Sequence, residues 1–574
     1  MMIPRWRRFY RDHRDQGTYV SQSKRRNLVF LAVALALGCS FFARHVAGMI
    51  DSNWQYNCLL YNPKSVRESP PAEYDFLPDD VSWDETRAYA RWTNELIRGE
   101  WGGATLGSLA PFLTTAVPRQ PLWLRDRLGI LILSWVYSVF GRDVRDAFLS
   151  ADLLFPIGTA LALLTLCWEL RPSLSFGIAA TSVIMVFNWQ DLLNFVAFLH
   201  GARQNEAIFL RTPYPQFSMI VFCLFLMSLL RLIQSPTFAR CVVFVTFLEI
   251  NFLTYFYSWT YALMFAGSAF LVLAMSALFL RLQIAPPSQT NVHPLLVGAT
   301  SFAFIVAFPV WLGIVQKDQV AKDAFLRLGG VVGHTPDLRY SIPLSALFLA
   351  LLFWRNDRWK NRWFAMIFLL ASLLIMNVQV ITGVTIQPGH WTGYYIQPIF
   401  LLLAIDSCWI CISGEGKRTA RSSIAIALML AAIGTNVYKL SVGAKNAVEY
   451  NQREPEFEQV IDLLRLSSLG SYGFLSNDAY LSTVLPAYVV QKPLLPWYMD
   501  PLTNHDLELL QDAAQEALHS KSAPFREPDA LTLRTDKILF VINVHRAYSS
   551  ALLVGRKALL RNEDFLVLAP DVLR

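Results

Sequence analysis

Apolar residues in this chain fall into blocks of roughly 17–22, repeated from residue 27 to residue 441. Wound as a helix at ~1.5 Å per residue, such a block matches the ~30 Å hydrocarbon core of a bilayer. Lipid offers no water to the backbone, so each block must satisfy its own amides and carbonyls. The expected fold is therefore a polytopic α-helical membrane protein. Composition agrees: of 574 residues, 16% are charged and 54% hydrophobic, where a soluble chain has about a quarter charged. That balance excludes a disordered protein, a coiled coil, a collagen-like rod and a soluble multidomain enzyme.

The placement of charge sets direction. Residues 1–26 carry Arg5, Arg7, Arg8, Arg11, Arg14, Lys24, Arg25 and Arg26 against Asp12 and Asp15. Directly before an apolar run, this reads as a cytoplasmic positive-inside anchor rather than a DNA-binding arm, and no nucleic-acid partner is expected. The run at 27–49 is too long for a signal-peptide core and ends in Arg44 and His45 with no small-residue cleavage site. It reads as a retained first helix.

Further spans are expected at 127–141, 148–168, 173–188, 216–233, 238–257, 260–281, 295–315, 340–354, 363–381, 393–412 and 422–441. Two connections are basic, one with Arg355, Arg358, Lys360 and Arg362, the other with Lys417, Arg418 and Arg421, and both are expected in the cytoplasm. This puts 203–215, 316–339, 382–392 and everything after 442 outside. One more crossing is then needed. The stretch 189–202 supplies it as a short antiparallel partner of 173–188, giving about 13 spans; the alternative merges two early spans and counts eleven.

The chain thus divides into a basic cytoplasmic N-terminus (1–26), a transmembrane domain (27–441) that includes a long first extracytoplasmic loop (51–126), and an extracytoplasmic tail (442–574). In the tail, YGFLS (472–476) and ILFVINV (538–544) read as buried strands. EFEQVIDLLRLS (456–467) and HDLELLQDAAQEAL (505–518) read as amphipathic helices, so a small α/β domain is expected. The seven cysteines form no disulfide framework. Cys408 and Cys411 have CxxC spacing but sit at a helix end, where free cysteine acts as a small hydrophobe rather than a redox or zinc ligand.

The first loop holds Glu73, Asp75, Asp79, Asp80, Asp84 and Glu85, with no Lys or Arg among them. A hydrated loop surface is one reading. The next residues of the chain favour another. Tyr89, Trp92, Leu96 and Ile97 recur at helical spacing, and Asp84 and Glu85 stand at the start of that helix, complementing its dipole. The later stretch LGSLAPFLTTAVPRQPLW (106–123) is apolar, Pro-broken and too irregular to span. Such backbone is tolerated at the interface only when folded onto protein, so the loop is expected to lie on the bundle and carry its acids to the bundle's mouth.

The segment DETRAYARWTNELIRGEW (84–101) resembles the first extracytoplasmic loop of the GT-C superfamily of integral membrane glycosyltransferases, with Asp84, Glu85, Tyr89, Gly99 and Trp101 in the family's places. PRQPLW (118–123), the span after it and Gly141 are similar to the family's Pro-containing approach to its second helix. The cytoplasmic N-terminus, the span count and the outer C-terminal domain fit the same architecture. The resemblance implies transfer of a sugar from a polyprenyl-phosphate carrier to a glycan or lipid acceptor on the outer face of a bacterial inner membrane. It implies Asp84 as the base, with Glu85 orienting acceptor or water or sharing a divalent cation such as Mg or Mn. Asp79 and Asp80 are the fallback acids. The metal stays open, because two neighbouring carboxylates can equally share a proton.

The departing phosphate needs cations, and the outer loops offer Arg211, Lys317, Lys322, Arg327, His334 and Arg339. Arg211, Lys322, Arg327 and Arg339 are the candidates, Arg327 beside the pair Gly329–Gly330; arginine suits bidentate phosphate contact. Their other reading is as interfacial anchors. The loop TGVTIQPGHWTGYY (382–395) gathers Gln387, His390, Trp391, Tyr394 and Tyr395, which suit sugar or acceptor contact but also an interfacial aromatic belt. Asn251, Asn377 and Gln379 read as helix-bridging groups, while Glu249 and Asp191 are costly in lipid. The rival functions are a polysaccharide polymerase or ligase acting through later-loop arginines, a lipid-linked-sugar transporter or flippase, and an assembly scaffold. A transporter of this kind is expected to show internal symmetry and broken helices, which the sequence lacks.

Overall fold

A computed structural model of the protein describes residues 16–43, 46, 85–97, 127–140, 144–187, 214–278, 330–353, 361–382, 384–386, 388–412, 418–446, 455–494 and 504–519, and 533–570 apart from 546, 547 and 549. The first helices are α1 (Gln16–Ser40), α2 (Glu85–Ile97), α3 (Arg127–Phe140), α4 (Val144–Leu170), α5 (Leu174–Val186), α6 (Gln216–Gln234), α7 (Phe238–Thr254) and α8 (Phe256–Leu278). Then come β1 (Gly330–Val332), α9 (Leu338–Phe353), α10 (Arg362–Ile375), α11 (Val378–Thr382), β2 (Val384–Ile386) and α12 (Pro388–Trp391). A π turn over Thr392–Ile396 leads into α13 (Gln397–Cys411) and α14 (Arg418–Asn446). Five described stretches are long and apolar enough to cross a membrane: Asp146–Leu170, Gln216–Gln234, Phe256–Met275, Gly389–Cys411 and Thr419–Ser441.

Contacts between helices fix their directions. The Arg26 guanidinium lies 5.1 Å from the centre of the Trp168 ring. Gly38 approaches α4 so closely that a Cβ there would stand 2.6 Å from Ile157 Cα. Hence α1 and α4 are antiparallel. Thr159 Oγ1 donates to Gln216 O at 3.0 Å, and Arg231 pairs with Glu169, so α4 and α6 run the same way. α4 stops where Pro172 cannot continue it, and Ser173 caps α5 by accepting from the Phe176 N–H. α8 and α10 are antiparallel, with Tyr261 bonded to Ser372 at 2.8 Å and the Phe265 and Phe364 rings 5.5 Å apart. One end of the bundle, the basic end, therefore collects Arg26, Glu169, Arg171, Arg231, Arg240, Asn361 and Arg362.

These directions bear on one expected crossing. α3 begins with the Gly129 N–H donating to the Tyr214 hydroxyl, just before α6 starts, at the end opposite the basic one. It finishes three residues before α4, and α4 then runs toward the basic end. Residues 127–140, short for a crossing, therefore stay at that end, and α4 runs from it toward the basic end. Likewise α5 leaves the basic end and α6 starts at the far end; the crossing expected at 189–202 lies outside the described residues.

The tail comprises α15 (Pro455–Leu464), β3 (Gly473–Ser476), α16 (Ala479–Val484), α17 (Asn504–His519), β4 (Ile538–Asn543), β5 (Ala558–Arg561) and β6 (Phe565–Leu568). The sheet order is β3-β4-β6-β5, with β3 parallel to β4 and the other pairs antiparallel. β3, β4 and β6 are buried throughout, as their continuous apolar runs require. Alternate residues feed two cores. Leu475, Ile538, Phe540 and Ile542 meet Leu510, Ala514 and Leu518 of α17, while Phe474, Leu539 and Val541 belong to the cluster that holds Phe457 and Val460 of α15 and runs on into the helical bundle.

Candidate functional site

Away from the basic end, three segments bring aromatic and hydroxyl groups together: the start of α6, the corner between α7 and α8, and the helical run from Pro388. The corner is one residue wide. Tyr255 alone separates α7 from α8, in extended backbone (φ −157°, ψ 131°). Asn251 holds the corner. Its amide donates to Phe247 O at 2.8 Å and reaches Val221 O of α6 at 3.5 Å, while its carbonyl oxygen accepts from Ser258. This is the bridging role expected of Asn251. Asn377 does the same elsewhere, accepting from the Asp337 N–H (3.1 Å) and Ser341 Oγ (2.9 Å). Gln379 Nε2 donates to Thr335 O at 3.2 Å.

The ring of Tyr255 stacks on that of Tyr214, with centroids 4.6 Å apart and planes 9° apart. Its hydroxyl shares a 3.0 Å hydrogen bond with His390 Nδ1. The His390 ring also lies 4.5 Å from Tyr257 and 5.1 Å from Tyr394, centre to centre. Residues four apart on a helix share a face, and the run from Pro388 uses this twice. Trp391 and Tyr395 point inward and are buried at 1% and 0% exposure, whereas His390 and Tyr394 are half-buried on the rim. The Trp391 indole N–H donates to Tyr257 O (3.2 Å) and to Thr260 Oγ1 (3.0 Å), and Tyr395 shares a 2.6 Å hydrogen bond with Ser218.

Trp391, expected as a sugar contact, is packed and its N–H is bonded, so in this arrangement it anchors the turn. His390 and Tyr394 keep the geometry of a binding rim. Arg339 is exposed and paired with Asp337 at 3.2 Å, two residues before it. His334, also exposed, hydrogen-bonds Val380 O at 3.1 Å through Nδ1. Asp79, Asp80, Asp84, Arg211, Lys317, Lys322, Arg327 and Gln387 lie outside the described residues. Among the described residues no three His, Cys, Asp or Glu converge as metal ligands.

Glu85 opens α2, and α2 packs on α3. α3 in turn begins at the Tyr214 hydroxyl. A continuous path thus runs from α2 to His390. The burial of α2 differs from expectation. Trp92 and Leu96 pack on the core, but Ile97 is 37% exposed, and Arg91, Thr93 and Glu95 are buried. Arg91 and Glu95 form an internal ion pair of 2.9 Å one helical turn apart. The cause is a second covering surface from the tail, residues 485–489, which α2 meets on another side.

Tyr214, Tyr255, Tyr257, Ser218 and Thr260 do not stand out in the sequence as site residues. A signal exists in TYFYSWTY (254–261), an aromatic and hydroxyl density unusual for two span ends. No family model and no curated protein matches the chain. Among solved structures it is similar to a crystal structure of ArnT from Cupriavidus metallidurans bound to undecaprenyl phosphate. Identity is 12% and the TM-score 0.43, with 85% of this chain and 93% of that one covered. At that identity and TM-score the likeness says nothing about which residues of this chain act.

Proposed function

We propose that the chain is an integral membrane glycosyltransferase of the GT-C type, moving a sugar from a polyprenyl-phosphate carrier to a glycan or lipid acceptor on the outer face. One observation carries this reading. The helix that continues the acid pair Asp84–Glu85 is packed, through α3, against the His390–Tyr255–Tyr214 cluster at the end of the bundle opposite the basic loops. The basic end then faces the cytoplasm, and the cluster and tail face outward.

In this reading Asp84 takes the proton of the acceptor hydroxyl as its oxygen bonds to the anomeric carbon. The bond from that carbon to the carrier phosphate breaks, and the electron pair leaves with the phosphate. Arg211, Lys322, Arg327 and Arg339 are the candidate cations that stabilise it. Glu85 orients the acceptor, and His390 and Tyr394 offer a hydrogen-bonding rim to the sugar. Aromatic faces meet the apolar side of a sugar ring, and hydroxyl and imidazole groups meet its edge. A divalent cation at the acid pair has its candidates in Asp84 and Glu85.

The test uses membrane vesicles supplied with a radiolabelled polyprenyl-phosphate sugar. The intact chain transfers label to endogenous acceptor, and Asp84→Asn stops transfer while expression and detergent-solubilised folding are kept. Wild-type transfer by Asp84→Asn removes Asp84 from the mechanism. Absence of transfer by the intact chain with every donor tried removes the reading itself.

A further inference from the structure

We infer that residues 485–489 of the tail form a seat for α2, making Asn94 a positioning residue for the acids that lead into that helix; this rests on the catalytic role proposed for those acids. The contact is specific. Asn94 Nδ2 donates to two carbonyls, Pro486 O at 3.0 Å and Val489 O at 3.2 Å. Pro486 lies within a 3-10 turn (Leu485–Ala487) and Val489 two residues past it, where the last carbonyls of such a turn have no partner within the turn itself. Ala90 is fully buried and shares one apolar cluster with Leu485, Tyr488 and Val489. The seat therefore combines an apolar face with an amide fork.

The seat is itself held from two sides. Behind it, β3 runs into α16 through Ser476, Asn477 and Asp478, all buried. Asn477 and Asn543 exchange hydrogen bonds, Nδ2 to Asn543 O at 3.0 Å and the Asn543 N–H to Asn477 Oδ1 at 2.8 Å. Asn543 Nδ2 also donates to Asp478 Oδ2 at 2.9 Å. In front, Gln491 Nε2 donates to Leu464 O (2.6 Å) and Leu469 O (3.0 Å), and Arg465 Nε donates to Tyr488 O (3.2 Å). The turn is thus bound to β4 through one set of bonds and to the end of α15 through the other.

The helix then works as a lever. Nine residues separate Asn94 from Glu85, about 14 Å of helix. A tilt of about 5° at the seat moves the acidic tip by about 1 Å, a displacement that can cost about a hundredfold in rate where chemistry depends on alignment. The tail thereby acts on the reaction without touching substrate.

The test pairs geometry with kinetics. Spin labels are placed at Ile97→Cys on α2 and Leu466→Cys on the tail, both exposed positions, in a background with Cys39, Cys58, Cys241, Cys408 and Cys411 replaced by serine, which leaves only the buried Cys167 and Cys223. In the parent the distance distribution is narrow. Asn94→Asp turns a carboxylate toward the two carbonyls, and Asn94→Ala removes the fork. Both broaden or shift the distribution and lower kcat at least about tenfold, with the carrier KM changed less than about twofold. An unchanged distribution in Asn94→Asp overturns the seat. So does a broadened one with kcat unchanged while Asp84→Asn abolishes transfer. If the parent transfers no sugar at all, the proposed function fails, and the distance measurement alone still decides the seat.

Discussion

The two ends of the helical bundle are built on opposite principles. At the basic end, charge closes the structure. Asp406 is completely buried, accepting from Arg171 Nε at 2.6 Å and from Asn361 Nδ2 at 2.8 Å, while Asn361 also donates to Leu170 O at 3.2 Å. One carboxylate thus ties the α4–α5 link, the start of α10 and the end of α13. Arg362 donates to Leu351 O and Leu352 O, both at 2.7 Å, and so satisfies the last carbonyls of α9. In the His390 cluster at the far end the links described above are of another kind: stacked rings, hydroxyl pairs and an imidazole. A buried ion pair costs about 3–5 kcal/mol to break from one side. A neutral side-chain hydrogen bond inside a membrane protein averages about 0.6 kcal/mol. The basic end is therefore committed to one arrangement, and the far end is made of bonds weak enough to be exchanged for those of a bound molecule.

Substitutions can break or sharpen this contrast. Asp406→Ala leaves Arg171 facing a buried gap and should lower stability by about 3–5 kcal/mol, read by denaturant titration in mixed micelles. A loss no greater than that of Tyr255→Phe ends the contrast. Gly129→Ala comes next. A Cβ at that position stands 2.3 Å from the Tyr214 hydroxyl, so the Tyr214–Tyr255 stack must shift, at about 1–3 kcal/mol of overpacking. A near-ultraviolet circular dichroism change from the tyrosines should accompany it.

Tyr255→Phe keeps the stack and removes the bond to His390. Stability should move by about 0.6 kcal/mol, while the sugar-transfer rate falls roughly tenfold, equivalent to ~1.4 kcal/mol in the barrier. Parallel changes in both would make the far end as structural as the basic one. The smallest effect is expected for Arg231→Gln. That pair with Glu169 is at the surface, Arg231 being 53% exposed, so the loss should be below about 1 kcal/mol and shrink further in high salt.

Much of this arrangement can be read in the sequence, and the failures have physical reasons. Tail strands are legible at Gly473–Ser476 and Ile538–Asn543 because short apolar runs there are bounded by turn residues. The crossing helices are legible because lipid demands length. α3 reads as a crossing because hydropathy reports how apolar a helix is and not whether it crosses: Leu131, Trp135 and Val139 are exposed, as on a lipid-facing side. Its 14 residues nevertheless measure about 21 Å, short of the ~30 Å needed. On α2 the inward positions Trp92 and Leu96 are legible, but Ile97, Arg91 and Glu95 are not. Arg91 and Glu95 are buried, and Ile97 exposed, on a helix that meets a surface nearly four hundred residues later in the chain, which no local periodicity reports. At the candidate site, His390 and Tyr394 stand out as a polar-aromatic loop. Tyr214 and Tyr255 do not, because their partnership arises only when α6 and the α7–α8 corner meet.

The single-residue joint at Tyr255 also restricts how this protein can change length. One residue inserted there would rotate the whole of α8 by about 100°. Tyr261 and Phe265 would swing away from α10, and their places would pass to side chains shaped for other neighbours. Drift in length among descendants of this chain should therefore accumulate elsewhere and leave this joint untouched.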